Sequence, residues 1–313
     1  MKLRLVITLL FSPLLLAAPI CHASLEQAMA LVQQGKFAQA EPFLYAEANA
    51  GNRDAMYWLG FTLQQQNFLK GVEAGAWYYK SAELGDPWAM AKMSHKRICN
   101  FLDWNCPTGK KAKEWGKIQR AAWEKMAANG DGNAQQALAY SGYGWKDYFA
   151  FLRLHEKVRR LKKAVKMGPS PASKALADVL EDKQEIIKYH LIAANNGYVP
   201  AMTVLAGYEK VLDHEVILHW LHTALELGSS DAALLLKHGY YEGSYGLPKD
   251  DEKQYYYSLL YTGLGTNSGF FMGGYLEDKL TPEQIERIEK QAAEWLTTHP
   301  KNFFYDVTST MYD

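Results

Sequence analysis

The side chains with the strongest claim to chemistry are three histidines, His214, His219 and His222, and two cysteines, Cys99 and Cys106. His219 and His222 stand three apart, which puts both rings on one face of a helix, where two imidazoles can share a metal ion. Trp220 and Leu221 between them read instead as an ordinary helix contact, so no metal is assigned there. Cys99 and Cys106 enclose six residues, and His95 lies four before Cys99. A metal held by those three would lack the fourth ligand of a closed structural site. In an oxidising compartment the same pair is a local disulfide, and that is the reading adopted. The paired carboxylates Glu181-Asp182 and Asp250-Asp251 fall where turns lead into helices, positions at which acidic residues complement the helix dipole. The chain has no Gly-x-Ser-x-Gly elbow, no phosphate-binding loop, no dinucleotide fingerprint and no His-Glu-x-x-His sequence. Nothing requires an enzyme, so no catalytic residue and no cofactor is expected.

The elements that must position these side chains repeat. A frame of Gly, three residues, Ala, three residues, then Leu or Met begins at Gly51, Gly85, Gly130, Gly168, Gly197 and Gly228, and a degraded copy begins at Gly265. Within the frame the three anchors lie at i, i+4 and i+8, one continuous helical stripe whose central alanine lets a neighbouring helix come close. A second apolar helix then leads into the next glycine, as in Gly75–Leu84, Glu185–Asn196 and Glu215–Leu227. The glycine stands where that helix stops and the chain reverses, the C′ position that needs positive φ. Self-similarity at a spacing of 29–45 residues marks a stacked array rather than one globular core.

One stretch carries a family likeness. In Tyr240–Gly265, Gly243, Gly246, Asp250, Lys253, the cluster Tyr255–Tyr257 and Gly265 resemble in order the Sel-like repeat (SLR), a relative of the tetratricopeptide repeat; the usual Lys-Ala is here Lys253-Gln254. The likeness runs over roughly residues 25–275. It implies an all-α fold, an α/α solenoid of six to seven helix–turn–helix Sel-like repeats with terminal capping helices. The unit from 85 to 130 is longer and holds the cysteine loop. The unit from 130 to 168 lacks the Gly-x-Gly turn and carries a basic run, Lys157–Lys163, read as the solvated face of an amphipathic helix. Thr281-Pro282-Glu283-Gln284 starts a closing helix with an N-cap, a proline at the first position and a capping-box glutamine.

The first residues read as a secretory signal: Lys2 and Arg4, an apolar run to Leu16, then Cys21-His22-Ala23 with small residues at −3 and −1. Cleavage after Ala23 is expected. The organisation is then signal 1–23, repeat array 24–280, and capping helix with tail 281–313, the mature form periplasmic with no membrane span. Lysine and arginine total 34 and aspartate and glutamate 34, a balance that argues against nucleic acid as the main partner.

The chain also has 9 Trp and 20 Tyr, more rings than the frame needs. Offsets 3, 6, 10 and 13 from each frame glycine vary and share one helical stripe. They carry Tyr57, Phe61, Trp88, His95, Tyr140, Tyr143, His238 and Tyr241. In related solenoids the first helices line the concave surface, and an exposed stripe of such residues there would suit a protein-binding groove. The resemblance implies an adaptor or inhibitor whose partner is another protein, a toxin or effector or an envelope component. Exported proteins of this family include immunity proteins that neutralise phospholipase-type effectors of type VI secretion. The alternatives are an envelope hydrolase and a cell-wall glycan-binding module.

Overall fold

A computed structural model describes residues 18–94, 111–142, 144–168, 171–265, 274–305 and 307–310. Among them every regular element is helical. Helices follow one another in pairs: Ala18–Gln33 with Phe37–Asn49, Arg53–Gln66 with Gly71–Glu83, Pro87–Ser94 with Ala112–Ala128, Gly132–Ala139 with Ala150–Met167, Ala172–Ala177 with Lys183–Asn195, Val199–Val204 with His214–Glu226, and Ser230–Glu242 with Asp251–Leu264. Each helix packs on its sequence neighbours, so the pairs stack in chain order. The expected α/α solenoid is the fold, with Ala18–Asn49 capping one end and the Pro282–Thr298 helix covering the other.

The frame works through two local devices. Gly51, Gly85, Gly130, Gly197 and Gly228 adopt φ between 85° and 96°, which a Cβ would resist. After Gly51, Gly130 and Gly228 the next helix is capped by a side chain: Asn52 accepts from the amides of Asp54 and Ala55, Asp131 from Ala134 and Ser229 from Ala232; two second helices are capped likewise, by Asp182 accepting from Glu185 and Asp250 from Lys253. Each cap satisfies amides that the first helical turn leaves without partners. Gly265, the degraded copy, has φ −77° and closes no such turn. The alanine and leucine anchors are buried as the stripe requires: Ala55, Leu59, Ala89, Ala134, Leu176, Leu205, Ala232 and Leu236 are at most 2% exposed.

The core divides into two large blocks and a small cluster of Tyr255, Leu276 and Ile288 at the closing helix. One block runs from Ala28 to Leu138 and is rich in Trp, Tyr and Met. The other runs from Ala139 to Ala292 and is mostly Ala, Leu and Val. The closing helix has the expected capping box, Thr281 with Gln284, and buries Ile288 and Ala292. The Ala18–Gln33 helix begins before the expected cleavage position after Ala23, and its packing comes from Leu25, Ala28, Leu31 and Val32.

Candidate binding site: the inner helices and the segment that crosses them

Of the eight residues proposed for the concave stripe, His95 and Tyr143 lie outside the described residues, as do Cys99 and Cys106 and most of the expected signal. Tyr57, Phe61 and Trp88 were expected to be exposed and are not: they are 1%, 0% and 7% exposed. Tyr57 packs edge-on against Trp58 and leans on Tyr78, their centroids 5.5 Å away in each case. Trp88 lies 5.4 Å from Trp123. Phe61 is covered by Phe37 at 6.0 Å and Tyr305 at 5.2 Å. The reason is that their helix face meets both the neighbouring pair and a segment from the far end of the chain. His238 is half-buried, and burial lowers its pKa. Tyr140 and Tyr241 are about half exposed. Lys157 Nζ sits 4.5 Å from the Tyr140 ring centre, a cation–π contact, and partial burial raises the Tyr140 pKa. The stripe is thus three core rings, one half-buried histidine and two half-exposed tyrosines.

The far segment is residues 299–305 with 307–310. His299 stacks on Trp295 and its Nε2 lies 2.8 Å from Glu226 Oε2, which fixes the departure from the closing helix. The amide of Asn302 then donates to the carbonyl of Gly228 at 3.2 Å, and that of Phe303 to the carbonyl of Gln33 at 2.8 Å. Two successive amides reach carbonyls from the sixth frame glycine and the first helix, so those carbonyls are within roughly 10 Å of each other. A Cβ on Gly228 would collide with the Pro300 carbonyl oxygen, and one on Gly35 would fall 2.6 Å from the Phe303 ring. Both glycines therefore serve a turn and a close approach at once.

Beyond that crossing the segment follows the first helices of successive pairs. The Gln33 side chain grips one residue twice: its Oε1 accepts from the Tyr305 amide at 2.7 Å and its Nε2 donates to the Tyr305 carbonyl at 2.6 Å. Phe304 has φ +56°, an uncommon conformation for a side chain of that size. Phe304 packs with the second core block, while Tyr305 and Val307 pack with the first. Val307–Thr310 forms a last helical turn against Gly132–Ala139, with Thr308 buried. Residues 299–305 and 307–310 form a strap joining the two blocks.

Beside the strap lies a cleft of about 590 Å³ bounded by Tyr57, Trp58, Trp88, Met126 and Val307, with Arg53 and Lys125 among its charged walls. Asp86 closes its floor, accepting from Ser81 Oγ and the Trp88 amide, both at 2.9 Å; burial raises its pKa. The cleft sets the charged groups Arg53, Asp54, Asp86 and Lys125 around apolar and aromatic walls, a combination that can anchor and orient a ligand.

The histidines form no common site. His214 Nε2 lies 3.5 Å from Glu209, His219 packs on Trp220 at 4.9 Å, and burial lowers the pKa of His222. Among the described residues no group of three His, Cys, Asp or Glu side chains could hold a metal ion, and no helix is long and apolar enough to cross a membrane. Sequence reasoning missed two residues. His190 is fully buried with neither ring nitrogen hydrogen-bonded. Glu156, 7% exposed, is paired with Lys146, Arg159 and Arg160. Two members of the basic run, Arg159 and Arg160, engage Glu156, while Arg159 and Lys163 remain on the exposed face.

No protein-family model and no curated protein matches the sequence. Solved structures similar to it include two repeat proteins. One is a protective antigen present in uropathogenic Escherichia coli strains and displaying an SLR fold, 17% identical, with 90% of this chain and 62% of that chain covered and a TM-score of 0.48. The other is a Sel1 repeat protein from Oxalobacter formigenes, 20% identical, with 73% of this chain and 95% of that chain covered and a TM-score of 0.44. This chain thus spans less than two-thirds of the length of the first.

Proposed function

We propose that the protein is an exported, non-catalytic binding protein that grips a peptide segment of a partner protein along its inner helices, on the track that the strap now holds. The observation that carries this reading is the Gln33 clamp on Tyr305. A side-chain amide that pairs with both the N–H and the C=O of one residue recognises main chain, which every peptide offers. The aromatic pocket for Tyr305, between Phe37 and Phe61, and the adjoining cleft supply side-chain selection. The strap is then an internal occupant that a tighter external segment displaces.

The partner class consistent with export is an envelope component or an incoming effector. In its finest form the reading is an immunity protein neutralising a phospholipase-type effector. Affinity capture from envelope extract, read by mass spectrometry, tests the site. Arg53→Glu with Lys125→Glu should abolish capture of the specific partner, and Tyr305→Ala should increase it. Equal capture by all three proteins would remove the inner helices from the reading. Cells lacking the protein should be sensitised to a sibling's effector; indifference would end the immunity form while leaving the site standing.

A further inference from the structure

Among the residues whose exposure is described, every exposed tryptophan and phenylalanine falls between Trp145 and Phe151. Trp145 is 65% exposed, Tyr148 87%, Phe149 51%, Phe151 69% and Leu154 47%. Isolated exposed apolar residues are ordinary, but five large ones within ten residues make a patch that asks for a covering surface.

The local fold explains the exposure. A short 3-10 turn, Gly144–Tyr148, leads into the Ala150–Met167 helix, and that helix meets the array only from Glu156 onward, through Glu156, Leu161, Ala164 and Val165. Its first turn and a half overhang, with Leu152 alone half-buried. Phe149 and Phe151 pack on each other at 6.3 Å and on no other described ring. The result is a projecting knob rather than a groove.

Charge gathers beside it. The whole chain balances 34 basic against 34 acidic residues, yet Gly144–Met167 holds eight lysines and arginines against Asp147 and Glu156. Glu156 engages Lys146, Arg159 and Arg160, and Lys162 pairs with Glu185. Arg153 lies within the knob itself, exposed between Phe151 and Leu154.

We propose that this knob docks the protein on an anionic lipid bilayer, with Trp145, Phe149, Phe151 and Leu154 entering the boundary between headgroups and acyl chains and Arg153 and the following basic helix facing the phosphates. Three features favour a bilayer over a protein partner. Trp and Tyr with Phe and Leu is the composition that settles at a membrane interface. A projecting tip has no walls to form the desolvated pockets in which protein hot spots sit. The excess of cations beside the apolar tip matches a surface of anionic headgroups, whereas the cores of protein interfaces are depleted in charge. Attachment of this kind is peripheral.

Co-sedimentation of the full chain with vesicles of phosphatidylglycerol and phosphatidylcholine in equal parts tests it. The protein should bind these vesicles, bind far less to phosphatidylcholine alone, and release as salt is raised. Trp145→Ser with Phe151→Ser and Leu154→Ser should weaken partition about tenfold or more with the melting temperature unchanged. Arg153→Glu should weaken it about fivefold or more. Absence of binding, or equal binding by wild type and the triple serine variant, would overturn the proposal. So would a dimer in sedimentation velocity that the serine changes dissolve while vesicles bind nothing, since a second copy would then cover the knob.

Discussion

The amide of Phe303 donates to the carbonyl of Gln33 at 2.8 Å, joining positions 270 residues apart in a chain whose repeat helices pack mainly on their sequence neighbours. A solenoid is ordinarily stabilised by nearest-neighbour interfaces alone. Here the strap adds a tie between the two core blocks, so the first hairpin and the later repeats lose their independence.

The tie has a measurable worth. Gln33→Ala removes two side-chain hydrogen bonds to Tyr305. A loss of about 1–2 kcal/mol is expected in urea unfolding. Hydrogen exchange should quicken at Phe303 and Tyr305 and in the first helix, with the Lys183–Asn195 helix unaffected. Unchanged exchange at Tyr305 would mean that the strap is not held by Gln33.

Burial separates the aromatic residues that sequence spacing grouped. Tyr57→Ala empties a core site walled by Trp58 and Tyr78 and should cost about 3–5 kcal/mol. Tyr140→Ala removes a half-exposed ring and should stay within about 0.5 kcal/mol of wild type. Urea midpoints measure both. Equal small effects would return Tyr57 to the surface.

What the sequence made legible is what neighbours in the chain decide. Positive φ at Gly51 or Gly228 and the caps at Asn52 or Asp250 depend on a few adjacent residues, so the frame and its helix starts could be read directly. The variable offsets were a different matter. Variation between copies says that a position is free of the frame, and Phe61 is free of it because it meets Tyr305, which no copy of the frame contains. The strap depends on how the array brings Gly228 beside Gln33, a property of accumulated curvature with no local signal.

Glu156 shows the same limit within one helix. The run Lys157–Lys163 looked solvated because cations outnumber acids, yet Arg159 and Arg160 turn back onto the Glu156 carboxylate, Arg159 at 2.6 Å. The Arg159 hydrogen bond, joined by those of Arg160 and the field of Lys146, holds the Glu156 pKa down to about 2 against partial burial. A folded pKa below the unfolded one gives stability that is present above about pH 4.5 and lost as pH falls toward 2. Glu156→Gln should therefore cost about 1–3 kcal/mol at neutral pH, and the gap from wild type should shrink below about pH 3. Urea unfolding at the two pH values measures it. A gap that does not change with pH would place the effect in packing rather than charge.

His190 supplies a pH dependence of the same sign, to test at milder acidity. It is 1% exposed on the Lys183–Asn195 helix, 6.1 Å from the Tyr208 ring, and neither nitrogen has a hydrogen-bond partner among the described residues. Burial lowers its pKa from 6.5, so the folded protein keeps the ring neutral while the unfolded chain takes up a proton. The unfolded state binds more protons below about pH 6.5, and stability must fall with pH from there down to the folded pKa. His222 and His238, whose pKa values burial also lowers, add to the same slope. His190→Leu keeps an apolar group of similar reach and removes two unsatisfied nitrogens from the core. At neutral pH it should stabilise by about 1 kcal/mol. Between about pH 6.5 and pH 5 the variant should lose less stability than wild type, keeping only the dependence due to His222 and His238. Melting temperatures across that range decide it: parallel curves would show that His190 takes up its proton in the folded state, which requires a partner or water at its ring.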